Sequence, residues 1–200
     1  ELFDELTSTI VRQVGTLRTM VDEFSSFARL PKPVFRDEDA LDLVRQAVFL
    51  QEVAHQNISF GLDAPGGEIP ISCDRHQFGQ AMTNVLKNAV EAVQAKAEEA
   101  GEEFAGRIAV AIEPAEDRVD ILVTDNGVGL PAERERIAEP YVTTREKGTG
   151  LGLAIVGKIV EEHGGDMSFA PVADGGTRVI LRFARYPDPA PANITDEEAA

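Results

Sequence analysis

Basic residues are scarce in this sequence. Only 19 lysines and arginines face 35 aspartates and glutamates among 200 residues, a net charge of −16. A surface that acidic repels phosphate backbones and argues against a duplex nucleic acid partner, while a basic partner stays open. Cysteine is nearly absent. Cys73 stands alone, so no internal disulfide can form, and a buried, reduced thiol in a cytosolic setting is the simplest reading. No run approaches the roughly 18 apolar residues that would cross a bilayer. No secretory leader and no internal repeat is visible. The chain opens on Glu1, inside a helical pattern, which reads as an excised piece of a longer protein.

What is present fits a folded domain. Hydrophobic content of 43% and charged content of 27% are globular values. The length allows one cored domain plus a small extra element.

Residues 1–30 read as one long helix. Leu2, Leu6, Ile10, Val14, Leu17, Val21, Phe24 and Ala28 recur at spacings of three or four, a stripe of coiled-coil type that needs partner helices. Pro31-Lys32-Pro33 stops it. Val34 and Phe35 suggest a short edge strand. Residues 38–54 predict an amphipathic helix with Leu41, Val44, Val48 and Leu50 or Gln51 inward. Residues 58–62 and 69–73 predict short strands around Pro65-Gly66-Gly67. Asp74, with Gln77 three residues on, caps a helix that runs to about Ala100 and stops at Gly101. Residues 107–113 and 118–124 predict an antiparallel pair. A helix over 150–163 ends at Gly164-Gly165. Residues 167–170 and 177–183 predict a last hairpin around Asp174-Gly175-Gly176. From Tyr186 the chain is rich in proline, alanine and acid, a disordered composition. Without regular βαβ alternation, the pattern points to an α+β sandwich, a mixed sheet with helices on one face.

Three clusters carry chemistry. Asn84, Asn88 and Glu91 fall at i, i+4 and i+7 of the long helix and share a face. Asparagine weakens helices, and its amide oxygen suits Mg²⁺, yet a merely solvated polar face is as good a reading of this cluster alone. Asp125-Asn126-Gly127-Val128-Gly129-Leu130 follows a strand. The carboxylate can accept from an amino group and the glycines admit a flat ring, but Asp-Asn-Gly is also ordinary turn chemistry. Gly148-Thr149-Gly150-Leu151-Gly152-Leu153 opens a helix, where backbone N–H groups and the helix dipole attract anions. It has neither the strand of a Rossmann turn before it nor the Gly-Lys-Ser/Thr ending of a P-loop.

In this order and spacing the clusters resemble the Bergerat-fold ATPases: histidine kinases, Hsp90, type II topoisomerases and MutL. Residues 84–92 resemble the N box and 125–130 the G1 box. Glu139-Pro140-Tyr141-Val142-Thr143-Thr144 resembles the F box, with Tyr141 where phenylalanine is commoner. Residues 148–153 resemble the G2 box, and Gly176-Thr177 the closing Gly-Thr strand. The resemblance spans residues 34–184. The Glu-Pro-Tyr-Val-Thr-Thr and Gly-Thr-Gly-Leu-Gly-Leu forms are similar to histidine kinases. Residues 20–33, reading MVDEFSSFARLPKP, are similar to NtrY-like nitrogen-regulation sensor kinases.

The resemblance implies a two-layer Bergerat (GHKL) fold at 34–185. Residues 1–33 would be the second helix of a dimerisation hairpin, and 186–200 an acidic tail. It implies ATP as ligand, with Asp125 and Thr177 at the adenine amino group and Gly127 and Gly129 along the ring. Asn88 would ligate Mg²⁺, with Asn84 nearby. Lys87, Arg145 and Lys147 would face the phosphates, and Glu91 fits the N-box pattern. Tyr141, Gly148, Thr149, Gly150, Leu151, Gly152 and Leu153 complete the expected ATP-binding set. Asn84 and Lys87 are the only candidates for a catalytic part. Residues 131–147 would form a mobile lid.

The phosphoryl group would pass to a histidine and then to a response regulator receiver domain, NtrX-like by the same resemblance. The parent would be a homodimeric inner-membrane sensor kinase with this part in the cytoplasm. The family's phosphoacceptor box, His-Glu-x-x-Asn-Pro-like, does not occur here. His55, His76 and His163 read as structural, and His163 closes a helix where positive charge is favoured. The chain is therefore expected to bind ATP without phosphorylating itself. The competing readings are a hydrolysing Hsp90-, topoisomerase- or MutL-type ATPase, an anti-sigma-factor serine kinase, and a non-catalytic nucleotide-sensing or dimerisation module. The first lacks a following transducer domain and a glutamate at the Asn84 position. The second leaves the long helix unexplained.

Overall fold

The computed structural model of the chain describes residues 2–28, 30–101, 104–130, 150–173 and 175–187. A helix, α1 (Leu2–Ala28), leads into a short strand β1 (Arg36–Asp39) and helix α2 (Ala40–Ala54). Strands β2 (Ile58–Asp63) and β3 (Pro70–Cys73) precede the long helix α3 (Arg75–Ala100). Strands β4 (Gly106–Pro114) and β5 (Arg118–Asp125), helix α4 (Gly152–Glu162), and strands β6 (Asp166–Pro171) and β7 (Thr177–Ala184) follow. Among the described residues no helix is long and apolar enough to cross a membrane.

Five strands form the main sheet in the order β2-β4-β5-β7-β6, and β1 and β3 form a small antiparallel sheet beside it. β2 runs parallel to β4, while the other main-sheet pairs are antiparallel. One face of the sheet is consistently buried: Ile108, Val110 and Ile112 on β4, Val119, Ile121 and Val123 on β5, Val179, Leu181 and Phe183 on β7. Their alternation is the period-2 signature of a half-covered sheet. α2, α3 and α4 bring Leu43, Val44, Phe78, Met82, Leu86, Ile155 and Ile159 onto that face. This is the two-layer α+β sandwich expected from the pattern. Phe78 and Phe183 meet across the layers with ring centroids 4.9 Å apart.

Local signals explain α3 well. The Asp74 carboxylate accepts from the N–H groups of His76 and Gln77, and Gly101 ends the helix with φ of 80°. The 107–113 and 118–124 pair and the last hairpin form as expected. The strands at 58–63 and 70–73 form too, but they pair with β4 and β1 rather than with each other.

Two expectations are corrected. The edge strand starts at Arg36, not at Val34. The N–H of Val34 instead donates to Asp74 Oδ2 at 2.8 Å, and Phe35 packs edge-on against the His163 ring. Together with Gln77 Nε2 donating to the Pro31 carbonyl at 2.7 Å, these contacts dock the connection after α1 onto the start of α3. The buried face of α2 is also rotated. Ala40, Leu43, Val44, Ala47 and Val48 point inward, whereas Leu50 is exposed and Leu41 only partly buried. The two alanines permit close approach, which a reading weighted to large side chains overlooks.

Candidate nucleotide-binding site

The site grows from the end of β5. Asp125 is the last residue paired with β4, opposite Ile108, and it is buried. Its Oδ1 accepts from the N–H of Gly127 at 2.8 Å and of Thr177 at 3.3 Å. Two different segments thus fix the carboxylate, and Thr177 stands beside Asp125. The glycines around it answer to crowding. A Cβ on Gly127 would collide with the backbone of Ala92 and Val93, and one on Gly176 with the Asp125 carbonyl. Gly129 has φ of 81°, open to glycine at little cost.

Helix α3 supplies the next wall. Asn84, Asn88 and Ala92 lie at i, i+4 and i+8 on one face. At one end Asn84 Nδ2 reaches the Gly152 carbonyl at the start of α4, 3.4 Å away. At the other the Ala92 carbonyl accepts from Val128 N at 3.2 Å. Asn88 therefore lies midway between the Asp125 turn and the glycine-rich helix start. It is half-buried, as is Glu91, and Lys87 beside them is exposed. The inward face of the same helix, Leu86, Ala89, Val90 and Val93, is buried as expected.

Helix α4 closes the arrangement. Gly150 has φ of 70°, Leu151 is buried, and α4 begins at Gly152 with Leu153 half-buried. No side chain caps this helix start among the described residues. Its first N–H groups are oriented as an anion-binding end. Tyr141, Arg145, Lys147, Gly148 and Thr149, the whole of 139–144 and the expected lid at 131–147 lie outside the described residues, as does the tail from 188 on.

Residues the sequence reading did not single out also shape the site. Ala92 contributes a carbonyl, invisible to side-chain reasoning. Asn126, part of the G1-like run but given no role of its own there, pins that turn to the start of β4. A concavity of about 360 Å³ between Glu68, Ile69, Pro114 and Glu116 shares no residue with this site. Its Arg185 donates to the carbonyls of Pro70 and Ala115.

His163 needs a correction. It is structural, as expected, but not a charged helix-end residue. It is fully buried, between Phe35 and Phe183. The N–H of Asp74 donates to Nε2 at 3.1 Å, so Nδ1 carries the proton and donates to the Ile159 carbonyl at 2.7 Å. Burial lowers its pKa, outweighing the Ile159 hydrogen bond and the nearby Asp74 and Glu162. Cys73 is buried as expected. Burial first, then Glu38 and Asp74, push its thiol up to about 12, so it is inert.

Residues 73–187 match the histidine kinase-, DNA gyrase B-, and HSP90-like ATPase family. The chain is 51% identical over 176 residues to nitrogen regulation protein NtrY of Azorhizobium caulinodans, covering 88% of this chain and 22% of that protein. The chain thus spans under a quarter of the length of that relative. The catalytic domain of histidine kinase ThkA superposes with a TM-score of 0.67 at 30% identity, over 77% of this chain and 97% of that one. ThkA in complex with response regulator protein TrrA gives 0.74 at 25% identity, over 91% and 51%. The aspartate turn, the asparagine face and the glycine-rich helix start therefore stand in a known setting: the chain, similar to NtrY and to the ThkA catalytic domain, belongs to the histidine kinase-, DNA gyrase B- and HSP90-like ATPase family.

Proposed function

We propose that this chain binds Mg-ATP and donates the γ-phosphoryl to a histidine beyond its own sequence, from which a response regulator receiver domain, NtrX-like in its signalling context, takes it up. One observation carries the reading: a single face of α3 bridges the Asp125 turn and the start of α4. Adenine would lie against Asp125, Gly127, Gly129 and Thr177. The phosphates would run along Asn84, Asn88, Lys87 and Glu91 towards Gly150, Leu151, Gly152 and Leu153. Tyr141, Arg145, Lys147, Gly148 and Thr149 are assigned to the same nucleotide from their motifs alone. The receiver-domain partner rests on the likeness to ThkA, itself seen with TrrA.

The donor chemistry fits Mg²⁺ carried in by the nucleotide. Among the described residues no three His, Cys, Asp or Glu side chains gather into a metal cage. Asn88 offers one hard, neutral oxygen, which suits an ion that keeps most of its shell from phosphate and water. When bound, the ion would neutralise charge on the phosphates. The residues here bind and orient, and phosphoryl transfer asks for little more. None of the chain's histidines suits the acceptor role: His163 is buried with both nitrogens engaged, and His55 and His76 lie outside these motifs.

The division at 33 and 185, a homodimer through the 1–33 helix, and a cytoplasmic placement in an inner-membrane sensor kinase belong to the same proposal. Titration calorimetry tests it. Wild-type chain should bind ATP with Mg²⁺, and Asn88→Ala should lose at least about tenfold in affinity while staying folded. Unchanged affinity in Asn88→Ala would remove that residue from the site.

A further inference from the structure

We propose that Asn126 is a positioning residue for nucleotide recognition, acting through Asp125; this rests on the adenine reading above. The β4–β5 ladder ends at the Ile108–Asp125 pair. One residue later the side-chain amide of Asn126 takes over as a substitute strand neighbour. The N–H of Arg107 donates to Asn126 Oδ1 at 2.8 Å, and Asn126 Nδ2 donates to the Ala105 carbonyl at 2.8 Å. The backbone N–H of Asn126 adds a bond to the Arg107 carbonyl at 3.2 Å. One side chain thus meets a donor and an acceptor at once.

The chemistry of the pair is selective. The Arg107 N–H needs an acceptor and the Ala105 carbonyl needs a donor, at the reach of one methylene. Asparagine supplies both. Aspartate of the same shape would set a carboxylate oxygen against the Ala105 carbonyl, and alanine would leave both groups to water.

The consequence reaches Asp125 through its own peptide. The turn is held on one side by Asn126 against β4. On the other side Val128 N donates to the Ala92 carbonyl of α3, with Gly127 seated on the helix backbone. Between these two anchors the Gly127 N–H meets Asp125 Oδ1. Losing the two side-chain bonds leaves only the Asn126 N–H bond to the Arg107 carbonyl on this side, which loosens the turn about its α3 contact and re-aims the carboxylate. Domain folding need not suffer, because both side-chain bonds lie at the surface.

The test compares ADP with GDP, each with MgCl₂, titrated into the full chain. Wild type, Asn126→Ala, Asn126→Asp and Asp125→Asn are measured beside their melting curves. Asn126→Ala and Asn126→Asp should weaken ADP binding about tenfold, the scale of one or two lost hydrogen bonds. Their preference for ADP over GDP should narrow, with melting close to wild type. A wild-type preference in both Asn126 variants, beside a lost one in Asp125→Asn, overturns this inference alone. So does an equal loss of both nucleotides that follows a lowered melting point, because that is a structural role. A wild-type preference in Asp125→Asn overturns the adenine reading and this inference with it.

Discussion

At the residue scale, His163 shows how burial sets protonation in this molecule. Its ring sits between two aromatic side chains, with both nitrogens engaged. Burial disfavours the imidazolium, so the folded pKa lies below the ordinary value of 6.5. As pH falls below about 6.5, the unfolded chain takes up a proton that the folded chain resists, and stability drops until the folded pKa is reached. Protonation of the many surface carboxylates relieves repulsion and acts in the opposite direction. The measurement is therefore the difference between wild type and His163→Gln in melting temperature from about pH 7.5 to about pH 5.5. The variant should be less stable throughout, with a shallower loss towards acid; parallel curves would rule out this linkage. Such residues also show what sequence can reveal. Asp125 and Gly127 were legible because a carboxylate that gathers backbone N–H groups, and a position with no room for a side chain, are what the turn is built on. Ala92 was not, because it works through a carbonyl that every residue has.

At the element scale, α3 was legible from cap to terminator, since both are written in local chemistry. Asp74 does more than the sequence suggested. Its carboxylate holds His76 N and Gln77 N at the helix start and Val34 N from the connection after α1. Burial alone would raise its pKa, but these three N–H donors and nearby His163 together hold it below the usual 3.8. Asp74→Ala should therefore cost about 2 kcal/mol in urea denaturation, a lost cap together with an unpaired Val34 N–H. Hydrogen exchange at Val34 should speed up at the same time. Asp74→Asn, which keeps an acceptor at the cap, should lie between the two; an Asp74→Ala midpoint equal to wild type would refute the bridging role. The Val34 contact joins residues 40 positions apart. For the same reason the β2–β4 parallel pairing and the rotated face of α2 escaped local pattern reading. Both depend on which distant surface arrives.

At the scale of the whole molecule, the unbalanced feature is α1. Leu6, Ile10, Val14, Leu17, Val21 and Phe24 are each about half exposed or more. They run along about 27 Å of helix at about 1.5 Å per residue. The stripe was legible because its period is local; what covers it was not. An apolar seam of this length in water favours association, and a second copy of the same helix offers a matching stripe. Charge opposes that association, because two chains of net charge −16 repel. Salt screens such repulsion while leaving the apolar contact in place. Sedimentation should accordingly show self-association that strengthens with protein concentration and with salt. The double substitution Ile10→Gln and Val14→Gln removes two apolar contacts from the middle of the seam without adding charge, and glutamine keeps good helix propensity. It should weaken self-association at least about tenfold, and leave nucleotide affinity unchanged because the proposed site lies on α3, α4 and the main sheet. A doubly substituted chain that associates as wild type does would show that the stripe is not the contact between copies.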